Sequence, residues 1–273
     1  METPVKFKIQ SKLCETTSSN IYKGILISSI VPDITPVIIK MDKVTSPITN
    51  YLLNETKMRR FLEKVQCIPK LLDYGIYNNK RYIVYPFIPE ALQYHRFYTD
   101  TALYTGAFQL LTMIEDIHKH GIIHCDISTN NILYDREKDK YYINDFGQAK
   151  HYTFAIEERG NNPTSGCPLF CSENIHKGYE CTPRDDLISI GYLLLYCYKG
   201  TLPWSGLKTC KTIYNKKVEF RQTYYSQTIP DDLKTYLNYC FHLGINEKPK
   251  YNLLKKMFDT VKTNIDKEQP IYT

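Results

Sequence analysis

The stretch "HCDISTNNIL", His124 to Leu133, sets a carboxylate, Asp126, and an amide, Asn131, five residues apart in a polar segment. The segment runs directly into a strand-like piece, "NILYD" (131–135). Beyond the charged turn "DREKDK" comes a second short strand, "KYYINDF" (140–146), which delivers Asp145 at the head of "DFG". A carboxylate within reach of a hydroxyl can orient it and take its proton, and an amide oxygen beside it can ligate a metal ion.

Upstream, "DTALYTGAFQLLTMIEDIHKHG" (100–121) places Leu103, Ala107, Leu110, Leu111, Ile114 and Ile117 on one helical stripe. Asp100 is the expected N-cap and Gly121 the expected stop. Downstream, "TPRDDLISIGYLLLYC" (182–197) reads as a buried helix with Thr182 as cap, Pro183 in the first turn and Asp185 near its positive end. The N-terminal part differs in texture. "NIYKGILISSI", "PVIIKMD" and "KRYIVYPFI" are β-branched, strand-like runs. Between them "YLLNETKMRRFLEKV" (51–65) carries Leu52, Met58, Phe61, Leu62 and Val65 at helical spacing. The expectation is an α+β chain with a small β-rich lobe over 1–88 and a larger helical lobe over 89–273, sharing a cleft.

Phosphoryl transfer from ATP needs a cation on the phosphates, oxygen ligands for Mg²⁺ and a carboxylate for the attacking hydroxyl. Those parts stand in order here: Lys40 in "VIIK", Glu55 in "NETK", Asp126, Asn131 and Asp145. Lys40 ends a strand and would reach the α/β-phosphates, with Glu55 on the next helix to pair with it. Singly, each is a common surface residue, and a helical Glu near a Lys contributes little. Together they specify a catalytic set of Asp126, Lys40 and Glu55, with Asn131 and Asp145 as metal ligands.

Bulk properties narrow the class. The 273 residues suffice for a sizeable core, and 42% hydrophobic with 23% charged residues is ordinary for a globule. The net charge of +6 is compatible with nucleotides and acidic peptides but too modest to indicate nucleic-acid binding. Nine cysteines and an N-terminus, "METPVKFKIQ", without an apolar core point to reduced thiols in the cytoplasm or nucleus. The longest apolar run, "LISIGYLLLYCY" (187–198), is too short to span a bilayer.

The segment "SGCPLFCSENIHKGYECTPRDDLISIGYLLLYCYKGTLPWSGL" (165–207) is similar, without a gap, to the pattern of the casein kinase 1 and vaccinia-related kinase group of protein kinases. "YLNYCFHLGINEKPKY" (236–251) resembles the same group, and the likeness runs from about residue 10 to 260. It implies a eukaryotic protein kinase-like fold and a divergent serine/threonine kinase using ATP and Mg²⁺, with Mn²⁺ as substitute ion. It also implies a protein substrate and a monomer. Compact size and AT-rich residue usage fit a viral or parasite genome. By the same resemblance Tyr85 is the gatekeeper and 86–88 the hinge, with the Ile88 N–H on adenine and Ile21, Ile38 and Leu133 about its ring. Asp186 matches the buried aspartate that braces the catalytic loop.

Three departures bear on activity. "CETTSSNI" (14–21) has Cys14, Thr16 and Ser19 where the phosphate-covering loop of the family has glycines, and a polar strand turn is the expected reading. Ser128 replaces a lysine near the γ-phosphate; losing such a donor costs about 2.7–4 kcal/mol in rate. Cys125 replaces the arginine that reads a phosphorylated activation segment, and Leu169 an anion-binding arginine. A pseudokinase therefore stands beside the enzyme as the alternative. Cys167, Cys171, His176 and Cys181 approach a zinc-knuckle spacing, though within a segment assigned to substrate docking. Lys208, Lys211, Lys216 and Lys217 read as a solvated face, with acidic-substrate docking as the lesser reading.

Overall fold

The computed structural model describes residues 7–27, 35–43, 50–92, 97, 99–152, 160 and 165–258. The far end of "NIYKGILISSI" (28–30) and residues 1–6 lie outside them, as do 153–159 and 161–164 between Asp145 and Gly166. The described residues divide into two compact units, one within Met1–Pro89 and Tyr134–Ala149, the other within Glu90–Leu133 and Lys150–Thr273. The expected division at 88/89 puts 134–149 in the second unit. Its contacts lie with the first: the Ile143 N–H donates to the Cys67 carbonyl at 2.8 Å, and Lys140 Nζ to that of Gln66 at 3.1 Å.

In the first unit, β1 (Phe7–Glu15), β2 (Ser19–Leu26), β3 (Pro36–Asp42), β4 (Asp73–Tyr77) and β5 (Lys80–Pro86) form an antiparallel sheet in the order β1-β2-β3-β5-β4. Strand periodicity sorts its side chains. Val37, Ile39 and Met41 of β3 join Tyr82 and Val84 of β5 and Phe7 in one buried cluster. Ile38 of β3 joins Ile83 and Tyr85 in another, on which Leu52 of α1 (Tyr51–Phe61) also packs. Lys40 stands two residues beyond Ile38 on that second face, with Ile83 as its register partner. At Gly24 an added Cβ would lie 2.4 Å from Ile39 Cδ1 and 2.5 Å from the Lys8 carbonyl oxygen, so the β1 backbone and a β3 side chain close in on β2 there as only glycine allows. α1 stops at Phe61, short of the expected Val65, and Phe61 is exposed, while Leu62 and Val65 are buried in the turns after the helix.

The second unit opens on β6 (Glu90–Ala91) and α2 (Asp100–Lys119). All six residues of the expected α2 stripe are buried. Its N-cap is Thr99, whose Oγ1 accepts the Ala102 N–H at 3.2 Å, and not Asp100. Asp100 instead takes the first helical turn, where its charge meets the positive end of the helix. Gly121, with φ +72°, follows the helix as expected. Next come β7 (Ile122–Ile123), then β8 (Ile132–Asp135), whose last two residues already belong to the first unit together with β9 (Lys140–Ile143), and β10 (Lys150–His151), antiparallel to β7. Then follow α3 (Glu173–His176), α4 (Pro183–Lys199), α5 (Cys210–Thr223) and α6 (Asp231–His242), and residues 251–258 are helical.

α4 is buried almost all round, as a helix apolar on every face must be. Tyr236 of α6 donates to the Leu187 carbonyl at 2.8 Å, and Gly191 gives α6 room, since a Cβ there would meet Leu237 at 2.7 Å. The start of α4 is an anchor for the preceding loop. The Asp185 carboxylate, 1% exposed, accepts the Thr182 N–H (2.9 Å) and hydroxyl (2.8 Å), the Ser172 hydroxyl (2.5 Å) and the Asn174 amide (3.1 Å). Asp185→Ala strands those donors in a dry site and is expected to cost at least about 3 kcal/mol in urea unfolding; a loss under about 1 kcal/mol would show that they re-pair.

Candidate active site

The structure places the predicted residues as two sets, one in each unit. In the first unit, Lys40 Nζ lies 2.8 Å from Glu55 Oε2 and 2.8 Å from Asp145 Oδ1. Lys40 and Glu55 are nearly inaccessible to solvent. Burial works against the ammonium, but Glu55 and then Asp145 outweigh it and hold the Lys40 pKa above the ordinary lysine value. The other oxygen of Glu55 is occupied by Arg59, one turn further along α1, at 2.9 Å. Asp145 has φ +62°, a left-handed backbone, and its Oδ1 also accepts the Gly147 N–H at 3.3 Å.

Asn54 secures the backbone just after Asp145. Its Nδ2 donates to the Gly147 and Ala149 carbonyls at 3.0 and 2.9 Å. It stands beside Glu55 in "NETK", but nothing in sequence alone distinguishes such an asparagine from a helix-surface one, and it is absent from the set expected above.

Of the expected adenine-site residues, Tyr85 and Ile38 are buried in one cluster against which Ile21 packs, and Ile88 is half-buried just past the end of β5. Burial raises the Tyr85 pKa, with Glu55 adding to the effect. The β1–β2 turn follows the polar reading. Thr16 Oγ1 accepts the Ser19 N–H at 3.0 Å and donates to the Ser19 carbonyl at 3.3 Å. No residue from 14 to 21 has positive φ, so this turn does not need glycine.

In the second unit the catalytic-loop candidates are close together. Asn131 Nδ2 donates to the Asp126 carbonyl at 2.8 Å and to its Oδ2 at 3.2 Å, so the amide nitrogen is the end bonded to Asp126. Asp126 Oδ1 accepts the Cys167 N–H at 2.8 Å. Gly166, with φ +75°, makes that contact possible, because a Cβ would lie 2.5 Å from the Cys125 carbonyl oxygen. Asp186 is the brace. Its carboxylate accepts the His124 N–H at 2.8 Å and the Cys125 N–H at 3.0 Å, and it contacts His118 Nε2 at 2.9 Å. Cys125 has φ +65° and packs with Ile123, Cys171, Ile175 and Cys181. Ser128 is buried, and Leu133 is half-buried in β8.

Asp145 in the first unit, and Asp126 and Asn131 in the second, each carry oxygen donors of the kind that a hard cation such as Mg²⁺ accepts. The Cys167, Cys171, His176 and Cys181 set is different. Cys171 Sγ touches His176 Nε2 at 3.4 Å, but Cys181 packs with Cys125, and Lys217 Nζ stands 3.3 Å from His176. Among the described residues no group of three or more His, Cys, Asp or Glu is arranged to hold a metal.

Lys217 corrects an expectation. It is fully buried, not solvated, and its Nζ donates to the Pro168 and Cys171 carbonyls at 2.7 and 2.5 Å. Tyr192 and Trp204 present their ring faces at 5.3 and 5.4 Å. Trp204 Nε1 adds a bond to the Leu169 carbonyl at 2.7 Å, so two side chains clamp 168–171 from below. Lys208 and Lys211 are exposed, and Lys216 pairs with Glu219 at 2.8 Å. α5 turns one lysine inward because its residues Ile213, Lys217 and Phe220 share a face.

A family model for the protein kinase domain matches residues 11–263, and the chain belongs to that family. Its fold is similar to the solved structure of vaccinia related kinase 3, with a TM-score of 0.75 at 22% identity, over 95% of this chain and 88% of that one. The chain thus has the protein kinase fold. Among the described residues no helix is long and apolar enough to cross a membrane.

Burial lowers the Lys217 pKa from the ordinary 10.5, and burial followed by the Lys217 charge pushes His176 down to about 4. With its folded pKa depressed, Lys217 binds fewer protons folded than unfolded as pH nears 10.5, so its contribution to stability rises with pH there. Wild type minus Lys217→Met is expected to gain up to about 1.4 kcal/mol per pH unit in that window in urea unfolding; a flat difference would place the folded pKa at the free value.

Proposed function

We propose that this kinase domain transfers the γ-phosphate of ATP to serine or threonine hydroxyls of protein substrates, as a divergent member of the casein kinase 1 and vaccinia-related kinase group. The observation that carries the reading is the buried contact of Lys40 with both Glu55 and Asp145. A binding module has no need to hold a lysine out of water between two carboxylates, one of them in a left-handed backbone.

In this mechanism each set of residues has its own part in the transfer. Lys40, fixed by Glu55, grips the α/β-phosphates. The carboxylate of Asp145 and the amide oxygen of Asn131 are the groups that would hold Mg²⁺. When bound, the ion neutralises charge developing on the transferred phosphoryl group. Asp126, held by Cys167 and Asn131, orients the substrate hydroxyl and accepts its proton as the phosphate arrives. Tyr85, Ile88, Ile21, Ile38 and Leu133 receive the adenine. The charge of +6 favours acidic segments in the substrate. The cysteines, several of them buried, suit a reducing cytoplasm or nucleus.

The pseudokinase reading draws on one observation. The Thr16 and Ser19 groups of the phosphate loop are bonded to each other within the turn, so they supply no glycine-like approach to phosphate. The test is transfer of labelled phosphate from Mg-ATP to an acidic protein such as casein. Asp126→Ala and Asp145→Asn are each expected to lower kcat by about 10² or more; background incorporation equal in wild type and both variants would sink the enzyme reading. Ser128→Lys is expected to raise kcat about tenfold by restoring a donor near the γ-phosphate. No gain with the protein folded would mean that another group already serves there.

A further inference from the structure

We infer that Arg59 is a positioning residue that couples the grip of Glu55 on Lys40 to the seating of Asp145. This rests on the kinase reading above. In sequence Arg59 is the first of two arginines in "KMRRF", one turn after Glu55, where a pair is ordinarily an exposed contact of small worth. The two arginines part company in the structure. Arg60 is exposed, over the Tyr74 ring at 5.6 Å. Arg59 is 2% exposed.

The Arg59 guanidinium uses its whole fork. Nε and Nη2 both reach Glu55 Oε1 at 2.9 Å, Nη1 donates to the Pro69 carbonyl at 2.9 Å, and Nη2 also donates to Asn144 Oδ1. Its plane lies over the Tyr85 ring at 4.7 Å and the Phe146 ring at 5.8 Å. Asn144 and Phe146 are the neighbours of Asp145 on either side, so one side chain engages the side chains that flank the metal-ligand candidate and, through them, its backbone. That backbone requires holding, because φ +62° at a residue other than glycine is unfavourable in isolation.

Charge balance explains why the site tolerates a second buried cation. Lys40 and Arg59 face Glu55 and Asp145, two charges of each sign in mutual contact. Without Arg59, Glu55 keeps Lys40 as partner but loses the fork that fixes its rotation, and Asn144 and Phe146 lose their common support. Lysine cannot substitute fully, having neither the planar fork nor the stacking face. A residue that only stabilised the fold would change the amount of folded protein. One that seats Asp145 should change the response to Mg²⁺.

The experiment compares full-length wild type with Arg59→Met, Arg59→Lys and, as an exposed control, Arg60→Met. It measures kcat, the KM for casein, the Mg²⁺ concentration for half-maximal transfer, and binding of the non-hydrolysable analogue adenylyl imidodiphosphate with and without Mg²⁺. Arg59→Met is expected to lower kcat and raise the half-maximal Mg²⁺ concentration, each by about tenfold. The KM for casein and Mg²⁺-free analogue binding should stay within about twofold, and Arg59→Lys should fall between Arg59→Met and wild type. An unchanged Mg²⁺ requirement in Arg59→Met, or an equal change in Arg60→Met, overturns the inference. If Arg59→Met does not fold, the Mg²⁺ requirement of Arg59→Lys decides in the same way. If wild type transfers no phosphate, the enzyme reading fails separately and analogue binding decides: a Mg²⁺-dependent gain lost in Arg59→Met supports the coupling. A gain retained, or absent from wild type, overturns it.

Discussion

A charge removed from water has to be met inside the protein, and both units are organised around places where that happens. Lys40, Glu55, Arg59 and Asp145 satisfy one another within the first unit. In the second, Asp185 and Asp186 are each 1% exposed and face backbone and side-chain donors. An unmet charge at any of these positions would cost several kcal/mol, a large part of a domain's net stability. The partners are therefore obligatory, and the geometry of the candidate site follows from them.

Backbone strain marks the same places. Besides turn residues at Asn78, Asn79 and Asp139, the described non-glycine residues with positive φ are Cys125 and Asp145. One precedes the catalytic aspartate candidate, and the other is the metal-ligand candidate. Asp186 holds the strained Cys125 by accepting its N–H and that of His124, and Lys40 holds the Asp145 carboxylate. Strain of this kind persists only where surrounding bonds over-determine it. Ion pairing and backbone strain are thus one arrangement here, since the bonds that neutralise buried charge also keep the chain at Cys125 and Asp145 in unfavourable conformations.

Much of the fold was legible because burial leaves a period in the chain. β2, β3 and β5, the α2 stripe and the capped start of α4 could all be read from residue spacing. β1 and β4 were missed for a physical reason. β1 buries only Phe7 of its nine residues, and β4 exposes Tyr74 and Ile76, so neither shows a buried alternation. Phe61 misled in the opposite sense, as an apolar residue at helical spacing that faces solvent. Lys40, Glu55, Asp126, Asn131 and Asp145 stood out by type and order. Asn54, Arg59 and Lys217 did not, because a polar residue on a helix has no mark of burial until its neighbours are known.

Residue order alone indicated β2, β3, β5, α2 and α4, the family and the identities of the groups with chemistry to offer, because these depend on local periodicity and on motifs short enough to survive in one dimension. It took the folded chain to make Arg59 and Lys217 interior cations while Arg60 and Lys216 are not, and to close the Thr16 and Ser19 groups into a turn on themselves. Solvation is not a property of a residue type. It is set by segments far apart in the chain, as when Pro69 and Asn144 converge on Arg59, or Pro168 and Cys171 on Lys217.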